Sequence, residues 1–203
     1  MTLMIPPCYP PAFPVTRAIH IDLGHSCKHT PRLCSSSPDQ PVKLDHATHA
    51  ELARRLHESQ RTRVQLEHYS RLYPQMDMED SYAIQRAWMD LCLAQGRTVV
   101  GHKIGLTSRA MQIASQITEP DYGTLLDDMV LRDGAEIETA RFIVPRLEVE
   151  FAFILARDLQ GPGVTLFDVL NATDYVVPAL ELIDARIEQV CRQTQVPRKV
   201  LDT

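Results

Sequence analysis

From Asp45 onward, apolar residues recur at helical spacing. In DHATHAELARRLHESQRTRVQLEHYS, Ala50, Ala53 and Leu56 fall on one stripe, with charges elsewhere. The polar residues after Leu56 predict a largely exposed second half, and Tyr73 with Pro74 ends the segment. A further helix is predicted over MDMEDSYAIQRAWMDLCLAQG. There Ile84, Trp88 and Leu91, with Ala83, Ala87 and Ala94, make a continuous apolar face. Asp77 is its predicted N-cap, Asp80 three residues on completes a capping-box mimic, and Gly96 fits the C-terminal cap. Trp88 reads as a core residue and Cys92 as a small apolar residue of the same helix.

After Gly96 the period changes. RTVVGHKIGLTS reads as a strand in which Gly101 and Gly105 mark bends or close backbone approach. SRAMQIAS predicts a short helix, and TEPDYGTLLDDM is turn-rich. RFIVPRLEVEFAFILA alternates as a strand does. Leu147, Val149, Phe151, Phe153 and Leu155 face one way; Glu148, Glu150, Ala152 and Ile154 face the other. LFDVLNAT is a short helix capped by Thr165, and DYVVPALELIDARI is a strand ending at Asp184 or Arg186. Residues 1–42 differ from the rest. They are proline-crowded, carry the breaker cluster SSSPDQP and show no helical or strand period, so a disordered extension is expected ahead of one domain over 43–203.

Composition narrows the function classes. The chain has 203 residues, 44% hydrophobic and 23% charged, with a formal net charge of -5. That is the profile of a globular protein with enough chain for a core. No basic stripe invites a nucleic acid, and no apolar run approaches the roughly 20 residues of a membrane span. The five cysteines are odd in number and form no CxxC pair, which argues for reduced thiols in a cytoplasmic protein over a disulfide framework or a zinc knuckle.

Against this background RLEVEF is unusual. Glu148 and Glu150 stand two apart on one strand face, roughly 6–7 Å between Cα atoms, inside the most apolar part of the chain. Two carboxylates that close in a dry setting repel, so a positive partner is required: an arginine or a divalent cation. Oxygen ligands suit Mg²⁺, Mn²⁺ or Ca²⁺ better than zinc. VVPALELID offers a third acid in Glu181, with Asp184 three residues on.

GHKIGLTS, ITEPDYG, LLDDM, RFIVPRLEVEFAF, LFDVLNATDYVVPALELIDARI and PRKV follow one another at close spacing. Together, from about Leu44 to Thr203, they resemble the fumarylacetoacetate hydrolase superfamily, in particular its 2-oxo acid hydratases. The resemblance implies an α+β fold, with N-terminal helices followed by the first part of a mixed β-sheet roll. It implies Mg²⁺ or Mn²⁺ held by Glu148, Glu150 and Glu181, with Lys103 neutralising substrate charge and Asp121 moving a proton or placing water. The implied reaction is addition of water to a 2-oxo-alkenoate, a seven-carbon dioate in the nearest branch, in aromatic compound catabolism. Arg109 or Arg146 would then read the distal carboxylate. A family domain continues by roughly 100 residues past Thr203, so a C-terminally truncated domain is expected, with a homo-oligomer as the family's habit. A decarboxylase of the same superfamily and a non-catalytic association subunit are the alternatives. A C–C hydrolase is disfavoured, His102 being the histidine nearest the acidic segment.

Overall fold

The computed structural model describes residues 2–5, 44–115, 118–190 and 202, with backbone alone at 2–5 and 115. In chain order its elements are β1 (Thr2–Ile5), α1 (His46–Thr62), α2 (Tyr69–Leu72), α3 (Met78–Ala94), β2 (Val99–Gly105), α4 (Arg109–Ser115), β3 (Asp121–Leu126), β4 (Arg146–Leu155), α5 (Leu166–Ala172) and β5 (Thr173–Ile183).

The helical part forms for reasons visible locally. Asp45 caps α1 by accepting from Thr48 N at 2.7 Å. Asp77 caps α3 in a reciprocal capping box with Asp80. Gly96 closes α3 with a φ of +87°, a left-handed position that suits glycine. The α1 stripe is widened by Leu52. Leu52 and Ala53 are its fully buried members, while Ala50 and Leu56 are half-buried. They meet Ile84, Trp88, Met89 and Cys92 of α3 in a core that also takes Leu125, Leu126 and Met129. Ala94, expected on that face, is exposed.

Polar contacts tie this core together. Asp80, buried, hydrogen-bonds His49 Nε2 at 2.8 Å and so links α3 to α1. Tyr69 donates to the Leu52 carbonyl at 2.9 Å. The Arg186 guanidinium lies 4.4 Å from the Trp88 ring centroid. Burial pushes the Tyr69 phenol and the Cys92 thiol up from their ordinary values and presses the Arg186 pKa down.

The β-structure corrects several expectations. Both described sheets are antiparallel, β1-β5-β4 and β2-β3. Among the described residues, parallel pairing is limited to an isolated bridge between Leu66 and Ile187. TEPDYGTLLDDM is not only turns, because its Asp121–Leu126 stretch pairs with β2 and drives Leu125 and Leu126 into the core. Thr2–Ile5 lies in the extension where no strand was expected, yet it pairs with β5. The disorder expected for 6–42 falls outside the described residues. β1 reaches only Leu180–Ile183 of β5, so Pro178, which lacks an N–H, sits where β4 is the described neighbour.

Alternation along β4 is as read, but its burial is not. Val149 is 82% exposed and Phe151 71% exposed, so the apolar face of this sheet is not part of the described core. Leu166, Phe167 and Leu170 of α5 are exposed as well.

Candidate metal centre

Pairing of β4 with β5 builds the acidic site. In this register Glu148 stands directly opposite Glu181 and Glu150 opposite Ala179, so all three glutamates share one face of the sheet. One carboxylate oxygen from each of Glu148, Glu150 and Glu181 lies within 4.8 Å of the other two. The setting is graded. Glu181 is buried, Glu150 half-buried and Glu148 exposed. The dry surroundings expected for the Glu148–Glu150 pair therefore hold for the third acid instead.

The donor set fits a hard divalent cation. All three groups are carboxylates, and metal–oxygen bonds of about 2.0–2.6 Å place oxygens on opposite sides of one ion about 4–5 Å apart. Among the described residues this is the one trio of potential ligands drawn together so closely. Asp184, the alternative oxygen donor, serves a different purpose. Its carboxylate accepts from Ile143 N at 3.0 Å and Val144 N at 2.7 Å, clamping the loop that leads into β4.

The β2–β3 ribbon brings the other two candidates. Lys103 Nζ lies 3.1 Å from Glu181 Oε1, a contact with a partly buried lysine and a buried acid. This ion pair carries charge compensation from one sheet to the other. Lys103 pairs with Gly123, and Gly105 pairs with Asp121. Cross-strand partners share a face, as do residues two apart, so Lys103 and Asp121 lie diagonally on the same face of the ribbon. His102, next to Lys103 in sequence and paired with Thr124, points to the other face. Asp121 Oδ1 is buried, with no hydrogen-bond partner among the described residues.

The two arginine candidates separate. Arg146 shares the β4 face of Glu148 and Glu150 by alternation, and its guanidinium donates to Gln189. Arg109 opens α4 and is exposed. A cavity of about 310 Å³ lies between Ile137, Phe142, Arg146, Leu147 and Leu182; Arg146 lines it, but none of the three glutamates does. Sequence reasoning missed the pairing of each candidate with a glycine. The signal was present in GHKIG and DYG, where glycines stand two residues from Lys103 and from Asp121.

No family model matches the sequence. Individual proteins do. The 2-oxo-hept-4-ene-1,7-dioate hydratase of Escherichia coli is 60% identical over 160 residues, which are 79% of this chain and 60% of the relative. The 2-hydroxyhexa-2,4-dienoate hydratase of Comamonas testosteroni is 44% identical over 135 residues, 66% of this chain and 51% of the relative. The chain thus spans between half and two thirds of the length of these curated relatives. Among solved structures, 4-oxalocrotonate decarboxylase from Pseudomonas putida G7, complexed with magnesium and adipate, matches with a TM-score of 0.68 at 32% identity. That match covers 71% of this chain and 55% of the other. The same enzyme complexed with calcium and acetate matches equally well. Over the 160 residues matched at 60% identity, and over the shorter second match, this chain is thus similar to hydratases of unsaturated 2-oxo and 2-hydroxy acids.

Proposed function

We propose that this chain carries the metal-binding half of a hydro-lyase that adds water to a 2-oxo-alkenoate, in the breakdown of aromatic compounds. The observation that carries the reading is the convergence of Glu148, Glu150 and Glu181, with Lys103 against the buried member. The relative with the highest identity given above acts on a seven-carbon dioate, so 2-oxohept-4-ene-1,7-dioate, hydrated to 4-hydroxy-2-oxoheptanedioate, is the proposed substrate.

Glu148, Glu150 and Glu181 would hold Mg²⁺ or Mn²⁺. When bound, the ion supplies Lewis-acid polarisation of the 2-oxo group. Lys103 adds a positive charge at the same face and favours charge developing on the substrate oxygen. Asp121, on the same ribbon face as Lys103, would take a proton from substrate or water through its carboxylate. Arg146, on the face of the glutamates, is the better placed of the two arginines to meet a distal carboxylate. The exposed apolar face of β4 fits association into a homo-oligomer.

The test is turnover of the 2-oxo-alkenoate by the purified chain with Mg²⁺ or Mn²⁺. Product is identified by mass, and headspace CO₂ is recorded alongside. Metal-dependent gain of one water supports the reading. CO₂ release instead assigns the decarboxylase chemistry named in the structural match. Turnover that is independent of metal contradicts both.

A further inference from the structure

We infer that Gly105 is a positioning residue, there to let the Asp121 carboxylate lie flat against the β2–β3 ribbon. The inference rests on the hydratase reading only for what Asp121 does; the placement itself stands on geometry. A Cβ added at Gly105 would come 2.1 Å from Asp121 Oδ1 and 3.1 Å from its Cγ. Real Cβ atoms do not tolerate such contacts. Gly105 does not have a positive φ, so an alanine is conformationally acceptable there, and the missing side chain is what matters.

The backbone of Asp121 is held from the other side. The Tyr122 ring stacks on Tyr82 of α3 at 4.5 Å between centroids and 13° between planes. Gln85 Nε2 donates to the Tyr122 carbonyl at 3.3 Å. With the main chain fixed to α3, the space over Gly105 decides where the Asp121 carboxylate goes. A side chain at 105 leaves the strand in place and turns the carboxylate away. Gly123, opposite Lys103, is a looser counterpart. A Cβ there would meet Lys103 Cγ at 3.2 Å, a contact that a flexible stem relieves by a small shift.

The experiment uses the full chain with Gly105→Ala. Carboxylates are coupled to a small amine with a water-soluble carbodiimide and mapped by peptide mass spectrometry. Melting is recorded with and without Mg²⁺. The expected result is labelling of Asp121 several-fold faster than in the unsubstituted chain, with exposed Asp168 unchanged and the metal response of the melt retained. Unchanged labelling at Asp121 overturns the inference. Where the unsubstituted chain turns substrate over, Gly105→Ala is expected to lower kcat about 100-fold, with KM little changed. An unchanged kcat alongside faster labelling supports the placement and contradicts the proton role given to Asp121. Absence of turnover in the unsubstituted chain counts against the hydratase reading and leaves the labelling result to decide placement. If Gly105→Ala lowers the melt, adding Asp121→Ala is expected to restore it, because the clash is with the carboxylate; failure to restore it overturns the inference.

Discussion

Glu148 on β4 and Glu181 on β5 are direct cross-strand partners, two acids in one rung of an antiparallel ladder. Like charges placed this way destabilise a sheet by a few tenths to about 1 kcal/mol. Glu148→Gln is therefore expected to leave the metal-free melt unchanged or slightly higher, while weakening the rise produced by Mg²⁺ or Mn²⁺. Thermal melting across a metal series measures both at once. A lower metal-free melt with an intact metal response would contradict the arrangement.

Lys103 neutralises a buried acid, so its removal should be felt in stability as well as turnover. Lys103→Met keeps the stem and leaves Glu181 without that charge partner, at a cost of about 1–3 kcal/mol. A double-mutant cycle with Glu181→Gln measures the pair. The glutamine substitution should cost less in the Lys103→Met background than alone, and strictly additive losses would refute the coupling.

Trp88 is the chain's one tryptophan and is buried against Arg186. Trp88→Ala is expected to cost about 3–5 kcal/mol through the cavity it leaves. Trp88→Phe should cost clearly less. Urea midpoints at constant slope give the difference, with circular dichroism as the signal.

Three groups weaken the fold at alkaline pH. Tyr69, Tyr82 and Cys92 are all pushed above their usual 10.0, 10.0 and 9.0, burial being the first cause in each case. The unfolded chain thus releases these protons at lower pH than the folded one. Between the unfolded and folded values the folded state binds more protons, so stability falls as pH rises. It is fully present below about pH 9 and declines above it. Cys92→Ala and Tyr69→Phe should each flatten that decline in melts recorded between neutral and strongly alkaline pH.

The two-residue alternation of RLEVEF was enough to put Glu148 and Glu150 on one face, since strand geometry allows nothing else. Capping by Asp77 and Thr165 was equally legible, because those bonds close within three residues. What escaped depends on partners far away. Ser59 is buried because its hydroxyl donates to the carbonyls of Val64 and Arg186, the latter 127 residues on. The DYG segment looks like a turn and becomes a strand because Leu125 and Leu126 find the helical core. The role of Asp184 as a clamp was not readable, since the loop it grips precedes β4 in sequence but meets the end of β5 only in space. The apolar face of β4 was readable as a face, whereas its exposure is a property of what packs on it.

The central claim is that Glu148, Glu150 and Glu181 form one cation site. The measurement that tests it most directly is the melting temperature of the full chain across Mg²⁺ and Mn²⁺ concentrations, with Glu150→Gln as the paired variant. A functioning site predicts a cooperative melt that climbs with metal, by an amount equivalent to about 2.7 kcal/mol at 100 times the dissociation constant. It also predicts that Glu150→Gln loses that climb. A melt indifferent to metal, or one that climbs equally in Glu150→Gln, would contradict the site.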